Sequence, residues 1–147
     1  MTNPPPNYCT VDDLVVAGVP VEVIDGIAGD RTVRDAKLLG MLNKRSRFAD
    51  GYVGRAFVLP LSEWGDDLRM AVAELTGWDV MSVLVGFNPE SPSGATWQAR
   101  RDEALRWLEG VAAKRIVPPQ IVDSATPEHD DGIGIDSDVS RDWERTR

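Results

Sequence analysis
Residues 33–61, VRDAKLLGMLNKRSRFADGYVGRAFVLPL, constrain the fold more than any other stretch of the chain. Apolar residues at Leu38, Leu42, Ala49, Tyr52 and Ala56, widened by Ala36, Leu39 and Val53, follow the mixed three- and four-residue steps of one helix face. Thr32 ahead of the run can cap its first free amides, and Pro60 behind it cannot continue it. The spacing therefore predicts one long helix that ends near Ala56 or Phe57. At ~1.5 Å of rise per residue it is roughly 35 Å long, enough for shorter helices to pack along it.

Two further long helices are expected. After Pro60, Ser62 can cap a helix in which Trp64, Leu68, Ala71, Leu75 and Trp78 repeat at steps of four, three, four and three. Beyond Trp78 the pattern turns apolar nearly all round through Val80, Met81, Val83, Leu84, Val85 and Phe87, an end that a small monomer has little room to cover. The breaker Asn88-Pro89-Glu90-Ser91-Pro92-Ser93-Gly94 precedes a third helix, with Trp97, Ala104, Leu108 and Val111 on one face. Lys114 and Arg115 stand at its negative end, before Pro118 and Pro119. Upstream, Thr10 followed by Asp12 and Asp13 predicts a short helix that stops at Gly18, and Pro20 opens a second short turn. The fold class is all-α: a small bundle of two short and three longer helices.

Within the first long helix, Asn43-Lys44-Arg45-Ser46-Arg47 is a basic polar belt. A solvated face is its plain reading, and pairing with an acidic neighbouring subunit is the sharper one. Gly51 and Gly54 each cost ~1 kcal/mol relative to alanine in a helix. Close approach of another helix is the favoured reason for them, with a bend near Gly54 as the alternative.

A chain of 147 residues, 42% apolar, suits one domain with tails. The expected division is an N-terminal arm over 1–9 carrying Pro4-Pro5-Pro6, a helical core over 10–115 and an acidic extended arm over 116–147. Residues 119–147 hold eight acids against three arginines, which is −5 of the net −8. That balance repels phosphate and argues against nucleic-acid binding by bulk charge. It is compatible with a surface past which DNA slides without sticking. No apolar run reaches signal-peptide or membrane-spanning length, so a soluble, unsecreted protein is expected. The single Cys9 precludes an intrachain disulfide and fits a small apolar side chain near the first helix.

The usual catalytic constellations are missing from the sequence. His129 is the only histidine, there is no cysteine cluster, and the glycines of residues 26–30 lack the Lys-Ser/Thr of a phosphate loop. The acids of 130–138 do not alternate as a calcium loop requires. No enzyme, metal or cofactor is expected. The two arms are expected to be held by other chains: Ile121-Val122 and Ile133-Gly134-Ile135 could each add a strand to a neighbour's sheet edge. Trp143, amid Arg141, Arg145 and Arg147, could anchor on a partner.

The order of Tyr8-Cys9-Thr10-Val11-Asp12-Asp13-Leu14, Asp50-Gly51-Tyr52-Val53 with Leu59-Pro60-Leu61, the 68–75 helix and Arg101-Asp102-Glu103-Ala104-Leu105-Arg106-Trp107-Leu108 resembles the Mu-like prophage family of tailed-phage head-to-tail connector (adaptor or head-completion) proteins. The resemblance covers residues 8–119. It implies a mainly helical subunit that forms a ring, twelve-fold in the family, beneath the portal. Such a ring extends a channel through which DNA passes without sequence-specific binding, and docks the next neck or tail component. The implied setting is the virion neck, reached from the host cytoplasm during assembly, with no membrane. Subunit contacts are then expected at Lys44, Arg45 and Arg47 and at Trp78, Met81, Leu84 and Phe87. Ile133, Ile135, Arg141, Trp143 and Arg145 are the expected partner contacts of the C-terminal arm. The alternative is a small soluble non-enzymatic adaptor or regulatory protein that binds a single partner.

Overall fold
The computed structural model describes residues 5–83 and 86–125, which form five helices. Two are short, α1 (Val11–Val16) and α2 (Val21–Asp25), and three are longer, α3 (Arg31–Val53), α4 (Asp66–Ser82) and α5 (Pro92–Ala112). The all-α bundle is the one the periodicities predict.

Local chemistry sets the boundaries. The Asp13 carboxylate accepts the Thr10 amide at 2.7 Å, closing the start of α1. α3 begins two residues before the anticipated point, because Asp30 rather than Thr32 is the cap: its Oδ1 accepts the amides of Thr32 at 2.8 Å and Val33 at 3.1 Å. α3 also ends early, at Val53, with Gly54 as its C-cap, so Ala56 and Phe57 lie beyond it. α4 does not start at Ser62. It starts after Gly65, with Asp66 and Asp67 in its first turn where the helix dipole favours carboxylates. Ser62 is diverted because residues 62 and 63 pair with Val122. In α5 the Ser91 hydroxyl accepts the Gly94 amide at 3.0 Å and Pro92 opens the helix, so the breaker contains its first turn.

α4 is the central helix, packed against α5, α3 and α1. Leu68, Ala71 and Leu75 are buried as their spacing requires, and so are Val72, Ala73, Thr76, Gly77 and Val80 from the flanks. The α3 stripe is Leu38, Leu42, Ser46, Ala49 and Val53, while Leu39 stands exposed to one side of it. α5 contributes Trp97, Ala104, Leu108 and Val111. The tight helix approach falls at a glycine other than those singled out in the sequence. A Cβ on Gly77 would sit 2.5 Å from the ring of Trp97, whereas one on Gly51 would meet nothing within 4 Å and one on Gly54 would meet Asp50 and Leu59 of its own segment.

The described parts of both arms are held by the chain itself. Tyr8 and Cys9 are buried. The Tyr8 amide donates to Ser46 Oγ at 3.0 Å, its hydroxyl donates to Asp50, and its ring meets Trp64 edge-on at 5.0 Å. At the other end, Ser62 N donates to Val122 O at 2.9 Å and Val122 N donates to Glu63 O at 3.0 Å, an antiparallel bridge. Val122 therefore adds to a segment of its own chain, not to a neighbour's edge. Ser124 N donates to Val58 O at 3.1 Å, and Val58 N to Asp123 Oδ2 at 2.8 Å. Ile133, Ile135, Arg141, Trp143 and Arg145 lie outside the described residues.

Candidate interaction surfaces
The basic belt divides by helix geometry. Consecutive residues of a helix point about 100° apart, so Arg45 faces away from both Lys44 and Arg47, which are three residues apart and lie nearer one another. Arg45 turns toward α4 and grips Asp79 with two N–H groups on one edge of its guanidinium, Nε to Oδ2 at 2.5 Å and Nη2 to Oδ1 at 2.6 Å. This fork-to-fork pairing raises the Arg45 pKa; the hydrogen bond to Asp79 is the main cause, opposed by burial. Arg47 donates to the carbonyl of Pro6 and lies 3.3 Å from Asp50 Oδ2, close enough for attraction but not aligned for a hydrogen bond, since Nε and Nη1 are buried without partners. Both arginines thus meet acceptors of their own chain, and Lys44 turns outward.

Part of the 78–87 stretch is covered from within the subunit. Val80 is fully buried and Met81 is 8% exposed. Trp78 meets Phe87 edge-on at 5.6 Å, and the Arg101 guanidinium lies 5.2 Å above the Trp78 ring. Arg101 of α5 thus covers one face of the Trp78 ring. Among the described residues of this stretch Val83, 61% exposed, is the apolar residue left open, and Val85 lies outside them. Leu84 lies outside the described residues.

A surface missed in the sequence runs along α3 opposite its buried stripe. Val33, Lys37, Gly40, Lys44, Phe48 and Gly51 are all exposed and recur at steps of four, three, four, four and three. Its period is present in the sequence, where the run of adjacent polar residues 43–47 masks the single face. Beside this stripe is a groove of about 590 Å³, lined by Ile27, Gly40, Met41 and Val83 with Lys37 and Lys44 on its rim.

On another side, Asp67, Glu74 and Glu103 surround a shallow hollow with Met70 and Trp107. Burial, then the nearby Glu103 charge, raise the Glu74 carboxyl above its ordinary value, against the pull of Arg100. Burial first, and then Asp13, push the Cys9 thiol up to about 12, a protonated and unreactive side chain at neutral pH. Among the described residues no group of three or more His, Cys, Asp or Glu is placed to hold a metal ion, and no helix is long and apolar enough to cross a membrane.

The family model described as Bacteriophage Mu, Gp36 matches residues 8–135. Neither a curated protein nor a solved structure matches the chain.

Proposed function
Because this chain belongs to the Bacteriophage Mu, Gp36 family, which supports a phage structural or assembly role, we propose that it is a head-to-tail connector (adaptor) subunit of the virion. In this reading it has no enzymatic activity. Copies form a ring, twelve-fold by resemblance, beneath the portal, extend the DNA channel and dock the next neck or tail component. The ring joins the neck from the host cytoplasm, and DNA passes through without sequence-specific contact.

The observation that carries this reading is the outward face of α3. Val33 is 48% exposed and Phe48 37% exposed on a stripe that includes two bare glycines and two lysines. A helix that buries one face in its own core and lines the opposite one with exposed apolar and small side chains is suited to a second packing partner. A neighbouring subunit in a ring supplies one. The net charge of −8 suits a channel that DNA must cross without adhering.

Imaging of the assembled particle at side-chain resolution tests the proposal. Density for these helices in a ring at the portal, with the α3 stripe against an adjacent copy, is the expected result. Complete particles with no such density at the head-tail junction overturn it. In the same particles Trp143→Ala should weaken attachment while leaving the subunit's helix content unchanged. A second reading, a self-sufficient adaptor that binds one partner, draws support from the burial of Tyr8 and the Val122 bridge, which need no neighbour. A monomer or dimer in the native setting, absent from particles, would favour it.

A further inference from the structure
We propose that the groove between the α2–α3 loop, the outward side of α3 and the end of α4 is the seat of the chain's own acidic segment 128–138. The inference goes beyond the connector reading and concerns the isolated subunit: Lys37, Gly40 and Lys44 belong to both the groove and the α3 stripe, so an adjacent copy packed on that stripe in a ring would displace the segment.

The groove is built for an extended, acidic, aliphatic occupant. Its floor is Ile27, Gly40, Met41 and Val83, and its rim is Lys37 and Lys44. The two lysines are two helical turns apart, ~10 Å along the axis. Neither has a carboxylate within ion-pairing distance among the described residues. The floor is open as well: a side chain at Gly40 would meet nothing of the chain within 4 Å.

Segment 128–138, outside the described residues, carries Glu128, Asp130, Asp131, Asp136 and Asp138 and no lysine or arginine. Its acids flank Ile133 and Ile135, whose spacing of two puts both side chains on one side of an extended chain. Two isoleucines on the floor with carboxylates at either end reproduce the groove's arrangement of an apolar middle between two ammonium groups. The tether permits it. Ser124 is fixed to Val58, and nine further residues reach ~30 Å, while α3 separates Val53 from Met41 by ~18 Å along its axis. A tethered segment is also present at millimolar effective concentration, which favours the chain's own copy over a neighbour's in dilute solution. Because the charge pairs are exposed, salt should loosen the contact.

A zero-length carbodiimide, which joins a lysine amine to a carboxylate, tests this on the full chain, with ordinary and heavy-isotope chains mixed before reaction. The chain has three lysines, so Lys114 is an internal control. The expected result is linkage of Lys37 or Lys44 to Asp130, Asp131, Asp136 or Asp138, roughly tenfold over Lys114 and within single chains. Gly40→Met, which fills the groove from its floor, should reduce these links to the Lys114 level. If that variant does not keep the helical circular dichroism of the parent, the double substitution Ile133→Ser and Ile135→Ser decides in the same way. Links between light and heavy chains, links with no preference over Lys114, or links unchanged by either variant would overturn the proposal.

Discussion

Gly77 of α4 and Trp97 of α5 share a space that holds one indole ring and no additional carbon: a Cβ at position 77 would lie 2.5 Å from one ring atom and 2.7 Å from another. Here the central helix comes closest to its main partner. Gly77→Ala should therefore destabilise the fold by about 1–3 kcal/mol, the usual cost of overfilling a packed interior. Gly51→Ala, on the open face of α3, should stabilise it by up to about 1 kcal/mol through helix propensity alone. Urea denaturation followed by circular dichroism measures both, and equal effects would show that the Gly77–Trp97 approach is not tight.

The Arg45–Asp79 pair joins α3 to α4, with side chains 17% and 21% exposed. Asp79→Asn keeps the shape but weakens a two-point charged contact, and Arg45→Ala removes it and leaves Asp79 half-buried. Losses of about 1.5–3 kcal/mol are expected for Arg45→Ala, in the range of hydrogen bonds to charged groups, with a smaller loss for Asp79→Asn. Stability in urea at low and high salt is the check. A purely surface pair would lose its effect at 1 M salt, whereas this shielded one should retain most of it.

Glu74 supplies a pH dependence of defined sign. Burial and the Glu103 charge disfavour its ionised form in the folded chain, so its folded pKa lies above the ordinary 4.5. The folded state gains from the neutral acid below that pH and loses the gain as pH rises through the raised value. Glu74→Gln should therefore be more stable than the parent at pH 7, with the difference closing as the pH falls toward 4.5. Melting temperatures across that range measure it. A difference that widens on acidification would contradict the assignment.

Tyr8 belongs to the core although it lies near the start of the chain. The residue is 2% exposed and its ring packs on Trp64, whose Nε1 donates to the Tyr8 carbonyl at 2.9 Å. Tyr8→Ala should cost about 3–5 kcal/mol, as for other buried aromatics. It should also wet Trp64, so that the tryptophan emission shifts to the red, whereas Asn7→Ala should do neither.

Much of the fold was legible because three helices carry one clear apolar face each, and Leu38, Leu42, Leu68, Leu75, Ala104 and Leu108 all fall where their spacing puts them. What was hidden depends on contacts distant in sequence. Nothing near Ser46 announces that its hydroxyl takes the amide of Tyr8, and nothing near Arg45 points to Asp79, 34 residues on. Ser62 was assigned to a helix start on local grounds that a bridge to Val122 overrides. The candidate surface is half visible: Lys44 belongs to a basic belt in the sequence, and the face it shares with Val33, Lys37, Gly40 and Phe48 is set by direction around the helix, not by adjacency.

Glu63 holds Val122 and the next residue, Trp64, holds Tyr8, so the two extremities of the described chain converge on consecutive residues. Within the described residues, Tyr8 and Val122 are accordingly held side by side at one corner of the subunit. Because Tyr8 and Val122 are held by consecutive residues, a circularly permuted chain that joins their segments and opens between α4 and α5 should keep the same architecture. Whatever grips the Tyr8 segment or the Val122 segment therefore grips neighbouring residues of one loop, and strain on either is felt by the other.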